Sequence, residues 1–167
     1  MSDGPRYHMP FRRRREGKTD YRSRLALLKS KKPRAVVRKS LSGTTVQFIR
    51  FHNTGDLVLA QAGYKDLRKL GWKHSLKDTS ASYLVGLLAG VRAGRSDLKE
   101  AVLDIGLNEP TTGSRVFATL KGLIDSGLDI PHGEGRFPDQ DRIEGKHKDV
   151  KGFKDDFEAM KNKILEM

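Results

Sequence analysis

The sequence predicts a mixed α/β (α+β) fold: one sheet with helices packed on it, a basic N-terminal arm before it and a helical extension after it. Three observations carry that prediction. Short β-rich runs alternate with turn chemistry between residues 34 and 62. Two helical periodicities, separated by a short apolar run, follow between residues 79 and 127. The excess positive charge stands entirely within residues 1–50, ahead of the helical patterns. The chain has 33 Lys and Arg against 21 Asp and Glu in 167 residues, a net charge of +12. Residues 1–50 hold 15 of those cations and 3 of those anions, so they carry the whole excess and the remainder is neutral.

In the arm, Gly4, Pro5, Pro10 and Gly17 interrupt a one-sided run of charge. Residues 1–18 therefore read as disordered in the free chain. Thr19 or Asp20 is placed to cap a short helix from Tyr21 to Ser30, with Leu25 and Leu28 as its apolar contact. Lys31-Lys32-Pro33 ends that helix, because the residue before proline is pushed out of the helical region. Residues 34–39 form the first strand around Ala35-Val36-Val37, residues 45–51 the second and residues 57–62 the third. Residues 40–44 and 52–56 supply the turns, and their brevity makes the three strands an antiparallel meander.

Residues 64–78 read as a long basic connection around the single Trp72. Residues 79–93 form the clearest helix, with Tyr83, Leu84, Leu87, Leu88 and Val91 at helical spacing. Residues 101–105 are a buried strand by composition. Pro110-Thr111-Thr112-Gly113 starts the next helix, whose stripe is Val116, Leu120, Leu123 and Ile124, and Gly127 is its left-handed terminator. Residues 128–151 show no period and are expected to run over the surface. A last helix over residues 153–165 buries Phe153, Phe157, Met160 and Ile164. The element order is β-β-β-α-β-α plus a tail helix, and the domain plan is an arm (1–32), an α/β core (33–130) and an extension (131–167).

Composition excludes several classes of function. There is no cysteine, so disulfides, thiolate chemistry and Cys-based zinc sites are ruled out, and a reducing cytoplasm fits. Residues 1–20 are polar and lack the apolar stretch of a secretory leader. The least polar run, residues 83–91, is about half of a membrane span. The five histidines show no metal-ligand spacing, and no nucleophile–base–acid arrangement is recoverable from residue order. Gly86, Gly90 and Gly94 make a small-residue ridge that reads as a helix lying close against the sheet, rather than as a membrane dimer motif. Ser42-Gly43-Thr44-Thr45 lacks the lysine of a phosphate loop.

The strand order resembles a ribonuclease-H-like topology, in which clustered carboxylates hold two metal ions. Only Asp104 lies within a strand; Asp56, Asp125 and Asp129 sit at element ends and read as solvated or capping groups. No cofactor, metal or small-molecule substrate is implied.

The basic arm carries more information, although a run of charge is most often a solvated face. Its densest stretch is arginine (Arg12, Arg13, Arg14, Arg15, then Arg22 and Arg24), and a planar guanidinium matches phosphate oxygens bidentately and stacks on bases. Aromatic rings are interleaved at Tyr7, His8, Phe11 and Tyr21, and base–aromatic stacking contributes roughly 1–3 kcal/mol per base. Cations continue into the first strand at Arg34, Arg38 and Lys39. These features point to RNA.

Specific segments carry a family resemblance. They are Phe11-Arg-Arg-Arg-Arg-Glu-Gly-Lys-Thr-Asp-Tyr-Arg-Ser-Arg-Leu25, Pro33-Arg-Ala-Val-Val-Arg-Lys39, Leu70-Gly-Trp72 and Ser82-Tyr-Leu-Val-Gly-Leu-Leu-Ala-Gly90. Further on come Ala101-Val-Leu-Asp-Ile-Gly-Leu107, Gly113-Ser-Arg-Val-Phe-Ala118, Leu120-Lys-Gly122, Gly127-Leu-Asp-Ile-Pro-His132 and Arg142-Ile-Glu-Gly-Lys-His147. In order and over nearly the whole chain, they resemble the archaeal form of large-subunit ribosomal protein eighteen.

That resemblance implies a non-catalytic protein of the cytoplasmic large ribosomal subunit. It would bind 5S rRNA, help attach it to the 23S rRNA in the central protuberance, and touch neighbouring ribosomal proteins. It implies arm contacts at Arg12, Arg13, Arg14, Arg15, Lys18, Tyr21, Arg22 and Arg24, continued by Lys31, Lys32, Arg34, Arg38 and Lys39. Lys65, Arg68, Lys69 and Lys73 in the long connection, and Arg136, Arg142 and Lys146 in the tail, are further candidates. A non-specific RNA chaperone and a metal-dependent nuclease on the ribonuclease-H-like sheet are the alternatives.

Overall fold

A computed structural model of the chain describes residues 4–148, 150 and 152–167. Residues 1–3 of the arm and positions 149 and 151 of the tail lie outside the described residues. Two short helices, α1 (Arg12–Arg15) and α2 (Tyr21–Lys29), precede the strands β1 (Arg34–Lys39), β2 (Thr44–Arg50) and β3 (Leu57–Gly63). Then come α3 (Tyr64–Leu70), α4 (Thr79–Arg95), β4 (Val102–Asp104), α5 (Arg115–Asp125), α6 (Gln140–Glu144) and α7 (Phe153–Leu165).

The sheet is mixed, with the order β3-β2-β1-β4. β1 pairs antiparallel with β2, and β2 with β3, as the short turns dictate. β4 returns parallel to β1 after the α3–α4 crossover, with Arg34 opposite Val102 and Val36 opposite Asp104. The two-residue period of each strand sorts the faces. Ala35, Val37, Val46, Phe48 and Ala62 lie against the helices and are buried. Arg34, Val36 and Arg38 point to the other face, opposite Ile49, Gln47 and Thr45.

α4 is the centre of the molecule. Its residues 80–90 are buried all round, the mark of a helix with partners on every side. It packs against β2, β3, α3, α5, α6 and α7. The small-residue ridge serves a helix–helix contact, not the expected helix–sheet one. A Cβ added at Gly86 would overlap the Thr119 carbonyl oxygen of α5, and one at Gly122 would overlap the Tyr83 carbonyl oxygen of α4. The two backbones therefore touch where neither helix carries a side chain. Gly94 has no neighbour within 4 Å and plays no part in that contact.

Four expectations change. Residues 64–78 are not all connection, because α3 occupies their first half. The Asp66 carboxylate accepts the Gly63 N–H at 3.1 Å, Leu67 is buried, and Gly71 at φ +103° ends the helix. This helix is too short for periodicity to reveal. Residues 110–113 form a turn instead of a helix start, with Gly113 at φ +70° donating its N–H to the Arg136 carbonyl, and α5 begins at Arg115.

Residues 128–151 do not simply coat the surface, because Leu128, Ile130 and Ile143 are buried in the main core. They are too far apart in sequence to make a pattern, and only α6 turns Ile143 inward. The arm is not wholly irregular: α1 forms a helical turn, Phe11 lies 5.0 Å from Tyr21, and Arg13 Nε donates to Thr19 Oγ1 at 2.9 Å. No residue from 4 to 18 is buried, however. At the other end, α7 buries the expected Phe153, Phe157, Met160 and Ile164.

The α4–α5 contact predicts that Gly86→Ala lowers stability by about 1–3 kcal/mol, the usual cost of overpacking. Gly94→Ala should be neutral or stabilising by up to about 1 kcal/mol through helix propensity. Urea midpoints of the two variants against the parent protein check both signs.

Candidate nucleic-acid interface

The arm lies over the open face of the sheet, alongside β1 and β4. Asp20 caps α2, its carboxylate accepting the N–H groups of Arg22 at 2.9 Å and Ser23 at 3.3 Å and the Ser23 hydroxyl at 2.6 Å. The Ser23 hydroxyl and these two amides hold the Asp20 carboxyl below its ordinary range. The expected apolar contact is weak: Leu25 is 59% exposed and Leu28 only half-buried, and no residue of α2 is buried. An ion pair anchors the helix instead. Arg24 Nη2 donates to both Asp56 oxygens, at 2.9 and 3.1 Å.

Asp56 lies in the turn before β3 and also accepts from Arg34 Nη2 at 2.8 Å. Arg34 Nη1 donates to Asp104 Oδ2 at 2.7 Å, and both residues are buried. Arg38 approaches Asp104 from the solvent side. Its Nη2 donates to Oδ1 at 3.1 Å and its Nη1 to the Asp104 and Val37 carbonyls, each at 2.9 Å. The Gly106 N–H donates to the same Oδ1 at 2.9 Å. Gly106 sits at φ +62°, and a Cβ there would stand 2.8 Å from Arg38 Cζ. The backbone there favours glycine, and a larger residue would also displace the overlying guanidinium. Burial pushes the Asp104 carboxyl up, but the Arg38 charge and the hydrogen bonds from Arg34, Arg38 and Gly106 outweigh it and hold the group below the ordinary carboxylate range.

Between α2 and this part of the sheet lies an open cleft of about 930 Å³. Of the expected RNA contacts, Arg13, Lys18, Tyr21, Arg24, Arg34 and Arg38 line it, and Arg14 and Arg22 line an adjoining hollow. Arg12 and Arg15 are exposed on α1. Arg34 departs from expectation: at 2% exposure, and clamped between Asp56 and Asp104, it is part of the floor and not of the accessible surface. Lys31 is exposed, and Lys32 pairs with Glu100 at 2.6 Å.

The remaining candidates are elsewhere. Lys39 is exposed at the far end of β1. Lys65, Arg68 and Lys69 are exposed on α3, which follows β3, the sheet edge opposite β4. Lys73 is exposed beyond that helix. Arg136 lies over the Phe117 ring, Arg142 is exposed on α6, and Lys146 pairs with Asp141 and Glu144. Sequence reasoning missed Asp56 and Gly106. A carboxylate in a turn reads as solvated, and only the tertiary fold brings Arg24 and Arg34 to it.

The family model for ribosomal large subunit proteins 60S L5 and 50S L18 matches residues 5–99 and 91–133. The chain belongs to that family. The large ribosomal subunit protein uL18 of Korarchaeum cryptofilum is 52% identical over 147 residues, covering 88% of this chain and 75% of its own length. The protein of the same name from Methanococcus maripaludis is 47% identical over 168 residues, covering 98% of this chain and 86% of its own length. The chain is thus a structural constituent of the large ribosomal subunit, of archaeal type, and not an enzyme. The nuclease alternative fails with that membership, and Asp104, its one strand carboxylate, is engaged by two arginines. Among the described residues no helix is long and apolar enough to cross a membrane.

The depressed Asp104 group makes stability depend on acid pH. Its contribution is complete above the unfolded-state pKa near 4 and is lost as pH falls through the lower native value. Asp104→Asn should cost about 1–3 kcal/mol at pH 7, because buried Arg34 loses one of its two counter-charges and Arg38 loses its carboxylate partner. The variant should also lose less stability than the parent protein between about pH 4 and the acid limit of folding. Urea midpoints at neutral and acid pH measure this; parallel pH profiles would assign the acid sensitivity to other groups.

Proposed function

We propose that the arm and the adjoining sheet face bind 5S rRNA and help attach it to the 23S rRNA of the large subunit, beside neighbouring ribosomal proteins. The observation that carries this reading is the disposition of the guanidinium groups. Arg12, Arg13, Arg14 and Arg15 are exposed on one helical turn, and Arg13, Arg24 and Arg38 border the cleft that follows it. An RNA backbone lying along α1 and into the cleft would meet successive guanidinium charges. Phe11 and Tyr7, 70% and 54% exposed, stand in the same segment as stacking surfaces. Membership in a large-subunit ribosomal family supplies rRNA as the polyanion.

Lys18, Tyr21, Arg22 and Lys31 extend the proposed contact set. Arg34 is left out of it, because it is buried and both its terminal nitrogens are committed to carboxylates. Lys39, Lys65, Arg68, Lys69 and Lys73, with Arg136, Arg142 and Lys146 in the tail, would serve a second RNA segment or a protein neighbour. They lie outside the cleft lining.

Binding of 5S RNA and of a scrambled RNA of equal length, titrated with the intact protein at about 150 mM salt, tests the specificity; equal affinities would favour the chaperone reading. Replacing Arg12–Arg15 with glutamine should flatten the slope of log K against log salt by up to about 3–4, since each lost phosphate contact removes roughly 0.7–0.9. An unchanged slope would remove this tract from the interface.

A further inference from the structure

We infer that Asp56, an acidic residue on the basic face, is a positioning residue for RNA binding that strengthens it by holding the arm in place. This rests on the reading that the arm binds RNA, but not on that RNA being 5S. α2 has no buried residue to fasten it. Its link to the sheet is the two-oxygen pair from Arg24 to Asp56, and Asp56 is itself held from below by buried Arg34, which Asp104 grips on its other side. The chain of contacts Arg24–Asp56–Arg34–Asp104–Arg38 runs from the arm across the sheet face. It sets one wall of the cleft, carrying Arg13 and Lys18, against the other, carrying Arg38.

Without the latch, α2 has only half-buried side chains against the sheet and the two walls lose their register. RNA would then have to order the arm at its own expense, and apparent affinity falls by the fraction of molecules already aligned. Simple charge arithmetic predicts the opposite sign, because removing a carboxylate makes the surface more positive and should tighten binding.

Asp56→Asn keeps an oxygen for Arg34 while discharging the partner of Arg24. In the intact protein it is expected to weaken RNA binding about three- to tenfold, the size of effect a partly exposed ion pair produces through a shifted population. It should also speed tryptic cleavage of the RNA-free protein at Arg22 and Lys29. In an Arg24→Gln background the same change should not weaken binding further, and Asp56→Glu should restore part of the affinity in the parent background.

Tighter or unchanged binding by a folded Asp56→Asn protein overturns the inference. So does equal weakening with and without Arg24, which would assign Asp56 to the fold through Arg34. Each measurement is made on 5S RNA and on the scrambled RNA. Equal binding of the two RNAs by the parent protein sinks the 5S reading while leaving the latch legible on either.

Discussion

Arg34 places a guanidinium inside the fold at the first position of the first strand, and keeping that charge paired organises the arm end of the molecule. Removing a guanidinium from water costs several kcal/mol unless carboxylates and hydrogen bonds replace the solvent. Asp104 does so from the parallel neighbour strand and Asp56 from the turn before β3. One buried cation therefore ties together three segments that are distant in sequence. Because each carboxylate has a second oxygen or lone pair to offer, each also recruits a further arginine: Arg38 on the sheet and Arg24 on the arm. The surface chemistry of the cleft is an outgrowth of how the interior charge is neutralised.

The opposite side of the sheet is built on a different principle. α4 is enclosed on all sides, and its contact with α5 is made backbone to backbone at Gly86 and Gly122. That close approach leaves no room for slippage, so the helices present a continuous apolar wall to Ala35, Val37, Val46 and Phe48. The tail closes the remaining face of α4, with Phe157 5.8 Å from Tyr83 and Phe153 5.7 Å from Trp72. The extension thereby contributes to the same core as the strands.

For a ribosomal protein this division of labour matters. The neutral part of the chain supplies a rigid body, and the basic excess is displayed on one face of its sheet and on the short helices leading to it. Cations that are not restrained repel one another and reach many geometries; cations held by carboxylates keep one spacing. The basic face has both kinds: Arg14 and Arg15 are exposed on α1, whereas Arg24 and Arg38 are held by carboxylates.

The strand meander, the two main helices, the four buried positions of α7 and the confinement of the charge excess to residues 1–50 were all legible in the sequence. These depend on local period, turn chemistry and composition, which a chain states residue by residue. The family too was legible, in the ordered segments from the arginine tract to residues 142–147. Tertiary structure alone decided which arginines are surface and which are floor. Arg34 and Arg38 differ in sequence only by position in one strand, yet one is sealed between two carboxylates and the other is part-exposed over Gly106. It also decided that Asp56 is an anchor, that α3 and α6 are helices, and that Ile143 faces inward. For the charges and for Ile143 the deciding partner lies tens of residues away, and each acquires its role only when the fold brings that partner within reach; α3 and α6 are simply too short for a period to show.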